Sequence, residues 1–379
     1  MKYDFDEIIP RRGTNSVKWD LATDERVLPM WVADMDFRAA PPVLDALERR
    51  LRHGVFGYTK VPDAYFEAVK GWFGKRHGFR IENEWILPTT GVIPALSVIL
   101  KALTEPGDKV ILQTPVYNCF FAVLERTGRQ PLANPLIDEG GAYRMDFEDL
   151  ERKAADPQAK LIFLCNPHNP AGRAWTAEEL TRLGEICLRH GVTVISDEIH
   201  CDLTDPGYEY TPFASVSPTC AERSVVCIAP TKTFNLAGLQ TAALVVVNPA
   251  LRHKVWRAIN TDEIAEPNVF AAEAAVAALT YGDSWLEALR CKIFENKQTV
   301  INTVQQELPQ LHVISSPATY LLWIDCGKIC ADSAGLADFL AEKTGLLLNE
   351  GKEYGQAGRT FLRMNVAVSS ERLTMAWTG

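Results

Sequence analysis

The chain has 379 residues, and its 39 Lys and Arg against 48 Asp and Glu give a net charge of −9 at pH 7. Hydrophobic residues form 47% and charged residues 23% of the chain, a mixture typical of globular proteins that excludes a disordered chain. An acidic chain without a block of Lys and Arg is a poor candidate for binding nucleic acid or a membrane surface.

The nine cysteines are scattered along the chain and form no CxxC pair. Unclustered thiols in odd number indicate free cysteines in a reducing compartment and argue against a zinc site. The first ten residues lack the apolar core of a signal peptide, and no apolar stretch reaches the roughly 18 residues of a membrane span. We therefore expect a cytoplasmic protein without a metal ion.

Between about residues 64 and 249, short apolar runs alternate with helical patterns. The runs are Trp85–Leu87, Lys109–Leu112, Lys160–Leu164, Val192–Ile195, Ser224–Ile228 and Ala243–Val247. Several are continuously apolar, as expected for strands buried on both faces. Thr176, followed by Glu178 and Glu179, predicts the start of a helix, and Gly191 predicts its end. The alternation predicts a mostly parallel, doubly wound α/β sheet.

The C-terminal part has a different pattern. A long helical pattern precedes three strand candidates and a further helix; these elements are Trp285–Leu308, His312–Ser315, Tyr320–Ile324, Thr360–Val366 and Ser333–Thr344. They predict a smaller α+β unit. We expect an N-terminal segment of residues 1–50 that contributes to this small domain, a large domain of residues 51–284 and the small domain of residues 285–379.

Polar residues follow the predicted strands where each strand ends. They include Gly91, Tyr117, Asn166, Asp197 and Lys232. Because ligands of open parallel sheets bind outside the carboxyl ends of the strands, we expect these residues to share one edge. The spacings of 31 residues from Asn166 to Asp197 and 35 from Asp197 to Lys232 each fit one strand–helix–strand step.

These residue types suit one cofactor. A lysine amine forms a Schiff base with an aldehyde, and a helix N-terminus with small residues binds phosphate. An aspartate keeps a ring nitrogen cationic, an asparagine can donate to a phenolate oxygen, and a tyrosine offers a stacking face. Together these are the requirements of pyridoxal 5′-phosphate.

Nine stretches, in order along nearly the whole chain, carry a family resemblance. They are Phe5–Asp20, Leu28–Phe37, Phe56–Thr59, Thr89–Ser97, Thr114–Tyr117, Asn166–Arg173, Ser196–Leu203, Pro230–Gln240 and Phe361–Ala367. With them the chain resembles the fold-type I pyridoxal-phosphate enzymes, and among these the MalY/PatB-like cystathionine β-lyases, or C–S lyases. The resemblance implies an aspartate-aminotransferase-like large domain, with a mostly parallel mixed seven-stranded sheet between helices, and a smaller α+β domain.

The resemblance also implies roles around the cofactor ring. Lys232 would be the Schiff-base lysine and the proton shuttle, and Asp197 would pair with the pyridine nitrogen. Asn166 would contact the cofactor oxygen O3′, and Tyr117 would stack on the ring as a further catalytic residue. Asn166 and Tyr117 would touch the substrate as well. For His200, a packing role and a place beside the cofactor remain equally open.

Further roles implied by the resemblance concern the phosphate and the subunit interface. Gly91, Val92 and Ile93 would offer backbone donors to the phosphate at a helix start, and Thr231 would add its hydroxyl. Tyr58 would reach the phosphate of the neighbouring subunit, so the active site would be shared within a homodimer.

The remaining implied roles concern the substrate. Arg363 would grip its α-carboxylate, and Trp31 would line the mouth of the pocket. Many fold-type I enzymes carry an arginine on the phosphate eight residues after the lysine, whereas this chain has Gln240 there. This difference agrees with the C–S lyases, disfavours ordinary aminotransferases and leaves the phosphate to neutral donors.

The expected reaction is β-elimination of cystathionine or a related L-cysteine thioether to a thiol, pyruvate and ammonia. One alternative is an aminotransferase on the same fold, because a fold alone does not fix an activity. The other alternative is a regulatory protein that restrains a transcription activator, a role known within the resembled family.

Overall fold

The computed structural model describes residues 3–378. Its strands are β1 (Leu28–Pro29), β2 (Ile86–Thr89), β3 (Lys109–Leu112), β4 (Gln130–Ala133), β5 (Ile137–Asp138), β6 (Tyr143–Arg144), β7 (Ala159–Cys165), β8 (Thr193–Asp197), β9 (Ser224–Ile228), β10 (Ala242–Val245), β11 (His312–Val313), β12 (Leu321–Asp325), β13 (Leu346–Leu347), β14 (Asn349–Glu350) and β15 (Phe361–Asn365). Its helices are α1 (Val17–Asp20), α2 (Pro41–His53), α3 (Asp63–His77), α4 (Val92–Leu103), α5 (Asn118–Thr127), α6 (Phe147–Ala154), α7 (Ala177–His190), α8 (Pro218–Glu222), α9 (Pro230–Thr233), α10 (Pro249–Thr261), α11 (Val269–Tyr281), α12 (Asp283–Glu307), α13 (Ala334–Thr344) and α14 (Ser370–Thr378).

The central sheet has seven strands in the order β2-β10-β9-β8-β7-β3-β4. Strand β10 runs antiparallel to both of its neighbours, and the other pairs are parallel. This arrangement confirms the predicted seven-stranded, mostly parallel mixed sheet. All six predicted strands lie within two residues of the observed bounds at each end, and Lys109–Leu112 and Ser224–Ile228 match β3 and β9.

Both faces of the central sheet are covered by helices. In β9, Val226 and Ile228 join the apolar cluster on the side of α3 and α11, whereas Val225 and Cys227 join the cluster on the side of α4 and α5. Because alternate side chains of a strand point to opposite faces, a strand covered on both sides is apolar throughout. This burial explains the continuous apolar runs of the sequence.

One strand of the sheet escapes the sequence analysis. Strand β4 lies at the edge, and three of its four residues are exposed. It includes Pro131, which cannot donate a backbone hydrogen bond and is therefore confined to edges. An exposed edge strand does not need apolar residues, so it leaves no apolar run to recognise.

Helix α7 shows how the local sequence sets the helix bounds. The Thr176 side chain accepts a hydrogen bond from the backbone N–H of Glu179, and the Glu179 side chain accepts one from the backbone N–H of Thr176. Gly191 ends the helix with a φ of +71°, a left-handed conformation that favours glycine. The predicted start and end are both confirmed.

A second sheet, ordered β11-β12-β15-β14, forms the smaller α+β unit. The N-terminal segment reaches this unit, because β1 pairs in parallel with β13. In the same segment, the buried Lys18 lies 3.2 Å from Asp36, and Arg372 of α14 lies 2.9 Å from the same carboxylate. The domain boundaries at residues 50/51 and 284/285 remain a prediction.

All nine cysteines are free thiols, as the sequence predicts. Among residues 3–378, no helix is both long and apolar enough to cross a membrane. The side chains of His77, Cys201 and Asp202 offer ligand atoms within 4.8 Å of one another. Nε of Arg76, however, lies 3.6 Å from Asp202, and its positive charge opposes a cation there.

Candidate active site

The central sheet brings three of the predicted site residues to one edge. Asn166 directly follows β7, Asp197 is the last residue of β8, and Lys232 lies in α9, which starts two residues after β9. The backbone N–H of Asn166 donates to the carbonyl of Asp197 over 2.9 Å. The predicted convergence at the carboxyl ends of neighbouring strands is therefore present.

Lys232 is held against the N-terminal segment. Its Nζ donates to the carbonyl oxygen of Ala33 over 2.7 Å, and the hydroxyl of Tyr320 donates to the same oxygen over 2.9 Å. Burial lowers the pKa of Lys232 to about 8, and the charge of Arg363 contributes, although Asp34 and Asp197 oppose the shift. A lysine with such a pKa has a substantial neutral fraction near neutral pH, which a nucleophile or base requires.

Asp197 is a buried carboxylate in the same place. Burial raises its pKa to about 6, against the backbone N–H of Ile199 and the charge of Lys232, which both favour the ionised form. The Ile199 N–H donates to Oδ1 over 3.2 Å. A buried carboxylate ionised near neutral pH suits a cationic partner, such as a protonated ring nitrogen.

Asn166 has a fixed amide orientation. Its Nδ2 donates to the carbonyl of Thr211 over 2.9 Å and approaches Oε1 of Glu198 at 3.5 Å. Because a carbonyl only accepts hydrogen bonds, Thr211 determines which side of the amide carries the nitrogen. Oδ1 is buried and has no partner among residues 3–378. The contact with O3′ remains a prediction, and the atom free to make it is an acceptor rather than the donor expected from the sequence.

His200 is buried near enough to Lys232 and Arg363 for both charges to affect it. Burial lowers its pKa to about 3, and Lys232 and Arg363 add to this effect. Its ring meets Tyr320 edge-on at a centroid distance of 6.1 Å. The imidazole is therefore neutral, and within the described part of the chain its buried Nδ1 has no partner.

Arg363, in the middle of β15, is buried among neutral groups. Its Nη1 donates to Oδ1 of Asn169 over 3.2 Å, and its Nη2 donates to the carbonyl of Trp31 and to Oδ1 of Asn349, both over 2.8 Å. The guanidinium lies over the ring of Tyr354, 4.8 Å from its centroid. A buried charge held only by neutral partners favours an anion at its remaining donors. The predicted mouth residue Trp31 thus contacts Arg363 through its backbone.

Tyr117 lies near both Asp197 and Arg363. It precedes α5, and its ring packs edge-on against Phe120 at a centroid distance of 5.8 Å. Burial raises the pKa of its phenol well above the usual value. The charge of Asp197 adds to this shift, and the charge of Arg363 opposes it. The neutral ring therefore lies near both charged groups.

The predicted phosphate donors lie at the start of α4. Gly91 precedes the helix and has no side chain that could cap it, so the N–H groups of Val92 and Ile93 are available to a ligand. Pro94, with no N–H of its own, stands in this first turn. Thr231 is buried beside Lys232 in α9.

Two residues singled out from the sequence lie on the surface of the single chain. Tyr58 is completely exposed, and Val55 and Phe56 near it are more than half exposed. Gln240 is exposed as well. A single chain therefore does not bring Tyr58 to the other site residues, and an exposed apolar segment of this kind is typical of an interaction surface.

The structure adds residues that the sequence analysis missed. Asn169 contacts Arg363, as does Asn349 from the short strand β14. Ala33 and Tyr320 meet Lys232 through a backbone oxygen that no side-chain motif marks. Asn349 lies in a strand of two residues, which is too short to leave a pattern in the sequence.

The donor set fits pyridoxal phosphate. In the described chain, three buried polar atoms of the site lack a partner, namely Oδ1 of Asn166, Nδ1 of His200 and Nε of Arg363. Buried polar atoms in native proteins are usually satisfied, so these atoms indicate a missing ligand. The lysine amine, the buried aspartate and the helix start match its aldehyde, ring nitrogen and phosphate.

Comparisons with known proteins show to which family the chain belongs. The model of the family "Aminotransferase class I and II" matches residues 30–378. Cystathionine beta-lyase PatB of Bacillus subtilis is 44% identical over 96% of this chain and 95% of its own length, and protein MalY of Escherichia coli is 31% identical over 100% and 97%. The crystal structure of cystalysin from Treponema denticola, which contains pyridoxal 5′-phosphate, superimposes with a TM-score of 0.97 at 32% identity, covering 100% of this chain and 98% of that one.

Proposed function

We propose that this chain, which belongs to the aminotransferase class I and II family, is a pyridoxal-phosphate-dependent C–S lyase. Its substrate is cystathionine or a related L-cysteine thioether, and β-elimination gives a thiol, pyruvate and ammonia. One observation carries the amino-acid specificity: the buried Arg363 has only neutral hydrogen-bond partners and lies close enough to Lys232 to lower its pKa.

The side chains divide the work of this reaction. When bound, pyridoxal phosphate supplies an electron sink for the electron pair left at Cα. Lys232, with its lowered pKa, takes the Cα proton, and Asp197 holds the ring nitrogen in its protonated form. Arg363 binds the α-carboxylate, while Asn169 and Asn349 orient the guanidinium. The carboxylate grip fixes which bond at Cα faces the lysine.

Arg363→Lys is expected to lower kcat/KM, mainly through a higher KM. Lysine cannot form the two parallel hydrogen bonds of a guanidinium, and a hydrogen bond to a charged group contributes about 1.5–3 kcal/mol. The loss is then about tenfold to 150-fold. Steady-state kinetics with L-cystathionine measures it, with the exposed Arg359→Lys as the matched control. An unchanged KM in the Arg363 variant would contradict the carboxylate role.

The reaction itself is tested on the purified protein. A visible absorbance band that shifts when L-cystathionine is added, together with pyruvate in a coupled assay, is the expected result. A band without pyruvate, but with a keto acid and pyridoxamine phosphate in equal amounts, would instead favour the aminotransferase. If no band forms even after pyridoxal phosphate is added, the proposed role of Lys232 is wrong.

We also propose that the active site is shared within a homodimer. The support is the exposed apolar segment that carries Tyr58, together with the resemblance that assigns this tyrosine to a neighbouring phosphate. The regulatory role toward a transcription activator remains a prediction, as do the cytoplasmic location and the choice among thioethers.

Tyr58→Phe is expected to weaken pyridoxal-phosphate binding about tenfold to 150-fold, because one hydrogen bond to a charged phosphate is lost. Equilibrium titration of the cofactor-free protein measures the Kd. The exposed Tyr208→Phe is the matched control. Light scattering gives the oligomeric state, and a fully active monomer would contradict the shared site.

A further inference from the structure

Glu198 directly follows Asp197, yet none of the roles above uses it. Its side chain is completely buried, and burial raises its pKa to about 7. A carboxyl group in such a place is costly unless hydrogen-bond donors surround it. The hydrogen bonds of Glu198 therefore indicate the role of its carboxyl group.

Both carboxyl oxygens of Glu198 have donors. Oε1 accepts from the Ser196 hydroxyl over 2.7 Å and from the backbone N–H of Phe213 over 2.9 Å. The Tyr210 hydroxyl donates to Oε2. Three donors from two segments, β8 and residues 210–213, hold the carboxyl group. Its remaining contact is Nδ2 of Asn166, 3.5 Å from Oε1.

The amide of Asn166 is thus held from two sides. One N–H of Nδ2 is used by the Thr211 carbonyl, and the other is directed toward Glu198. As a result Oδ1 is the unpartnered atom of this side chain in the described residues. Without an acceptor at Glu198, the second N–H would be released, and the Thr211 carbonyl alone would orient the amide.

We propose that Glu198 is a positioning residue of the cofactor site, which fixes the Asn166 amide and places a negative charge behind it. The inference rests on the proposed function, because Asn166 is expected to contact the cofactor there. Both oxygens of Glu198 are used within the protein, so it acts through Asn166 and not by contact with the substrate.

Other titratable groups near Glu198 are neutral or already paired. Tyr210, Cys201 and Cys227 are buried, and burial raises the pKa of each well above its usual value. The ring of Tyr210 packs edge-on against His77, and Nε2 of His77 lies 2.8 Å from the carboxylate of Asp202. Glu198 is therefore an ionisable group in contact with the Asn166 amide, and its hydrogen-bond partners are uncharged.

The test is a spectrophotometric titration of the holoenzyme without substrate. Glu198→Gln keeps the size of the side chain and removes the charge. Loss of a nearby negative charge destabilises the protonated form of the Lys232-bound cofactor, so we expect the pKa of the visible band to fall by about one unit. The glutamine amide keeps an oxygen that can accept from Nδ2 of Asn166, so we expect the Kd for pyridoxal phosphate to change little in this variant.

Asp205→Asn is the control for a merely structural role. Asp205 is also a buried carboxylate, but it pairs with Lys297 over 2.7 Å and has no contact with Asn166. The Asp205→Asn substitution should lower the melting temperature and leave the pKa of the visible band unchanged. If Glu198→Gln behaves in the same way, with the wild-type band, Glu198 is structural and the proposal is overturned.

Two milder variants cover the case in which Glu198→Gln does not fold. Ser196→Ala and Tyr210→Phe each remove one donor to Glu198 and leave Asn166 untouched. Each should shift the pKa of the visible band by less than Glu198→Gln does. If both variants titrate like the wild-type protein, the proposal is overturned. If the wild-type protein itself shows no visible band, the proposed function fails, which is a different result from an unshifted band.

Discussion

Lys232→Ala is expected to lose the visible absorbance band and to lower kcat/KM for elimination by at least about 10⁴-fold, the upper end of what general acid–base catalysis supplies. The variant removes both the amine that binds the cofactor aldehyde and the base that takes the Cα proton. No other lysine of the described chain is among the site residues that surround Asp197 and Arg363. A pyruvate assay and a visible spectrum of the same sample measure both effects.

Two controls separate the chemistry of Lys232 from its packing. Lys254→Ala removes an exposed lysine of α10 and should leave both readouts unchanged. Methylamine, added to the Lys232 variant, should restore part of the turnover, because a small amine can occupy the space and take the proton. Full turnover in Lys232→Ala without added amine would disprove the assignment.

Asp197→Asn is expected to lower kcat/KM about 10²-fold to 10⁴-fold. The substitution removes the anionic partner of a buried cationic ring nitrogen, and breaking a buried ion pair costs about 3–5 kcal/mol. Asparagine retains the size of the side chain and can still accept the hydrogen bond from Ile199. Steady-state kinetics and a cofactor titration measure the loss, with Asp262→Asn on the surface as the control. An unchanged rate would disprove the pairing.

The same variant is expected to stabilise the cofactor-free protein at pH 7. Burial raises the pKa of Asp197 from the usual 3.8 to about 6 in the folded chain. A carboxyl group whose pKa is raised on folding costs stability once the pH exceeds that of both states, here up to about 3 kcal/mol. The gain in melting temperature should therefore be present at pH 7 and disappear as the pH falls to 4. A gain that persists at pH 4 would have another cause.

The lower activity and the higher stability expected for Asp197→Asn have one physical reason. A buried carboxylate without its cationic partner is unfavourable, and the same carboxylate with that partner is required for catalysis. Stability of the cofactor-free chain and activity of the loaded enzyme should therefore change in opposite directions. Lys232 shows the same balance, because burial disfavours its charge and leaves more of the amine in the neutral form that can take a proton.

The sequence by itself determined the layout of the large domain and its central chemistry. Buried strands must be apolar on both faces, so β7, β8 and β9 are visible as apolar runs, and the residues after them meet at one edge for any parallel sheet. Asn166, Asp197 and Lys232 were recognisable for that reason. The edge strand β4 was not, because an exposed strand needs no apolar pattern.

Only the tertiary structure decided which groups surround these residues. Ala33 meets Lys232 across 199 positions of sequence, and Trp31 meets Arg363 across 332. Such contacts arise from packing between elements, and a backbone carbonyl leaves no mark in the identity of its residue. The orientation of Asn166 and the position of the Glu198 carboxyl group are of the same kind, because hydrogen bonds from one other segment, residues 210–213, set both.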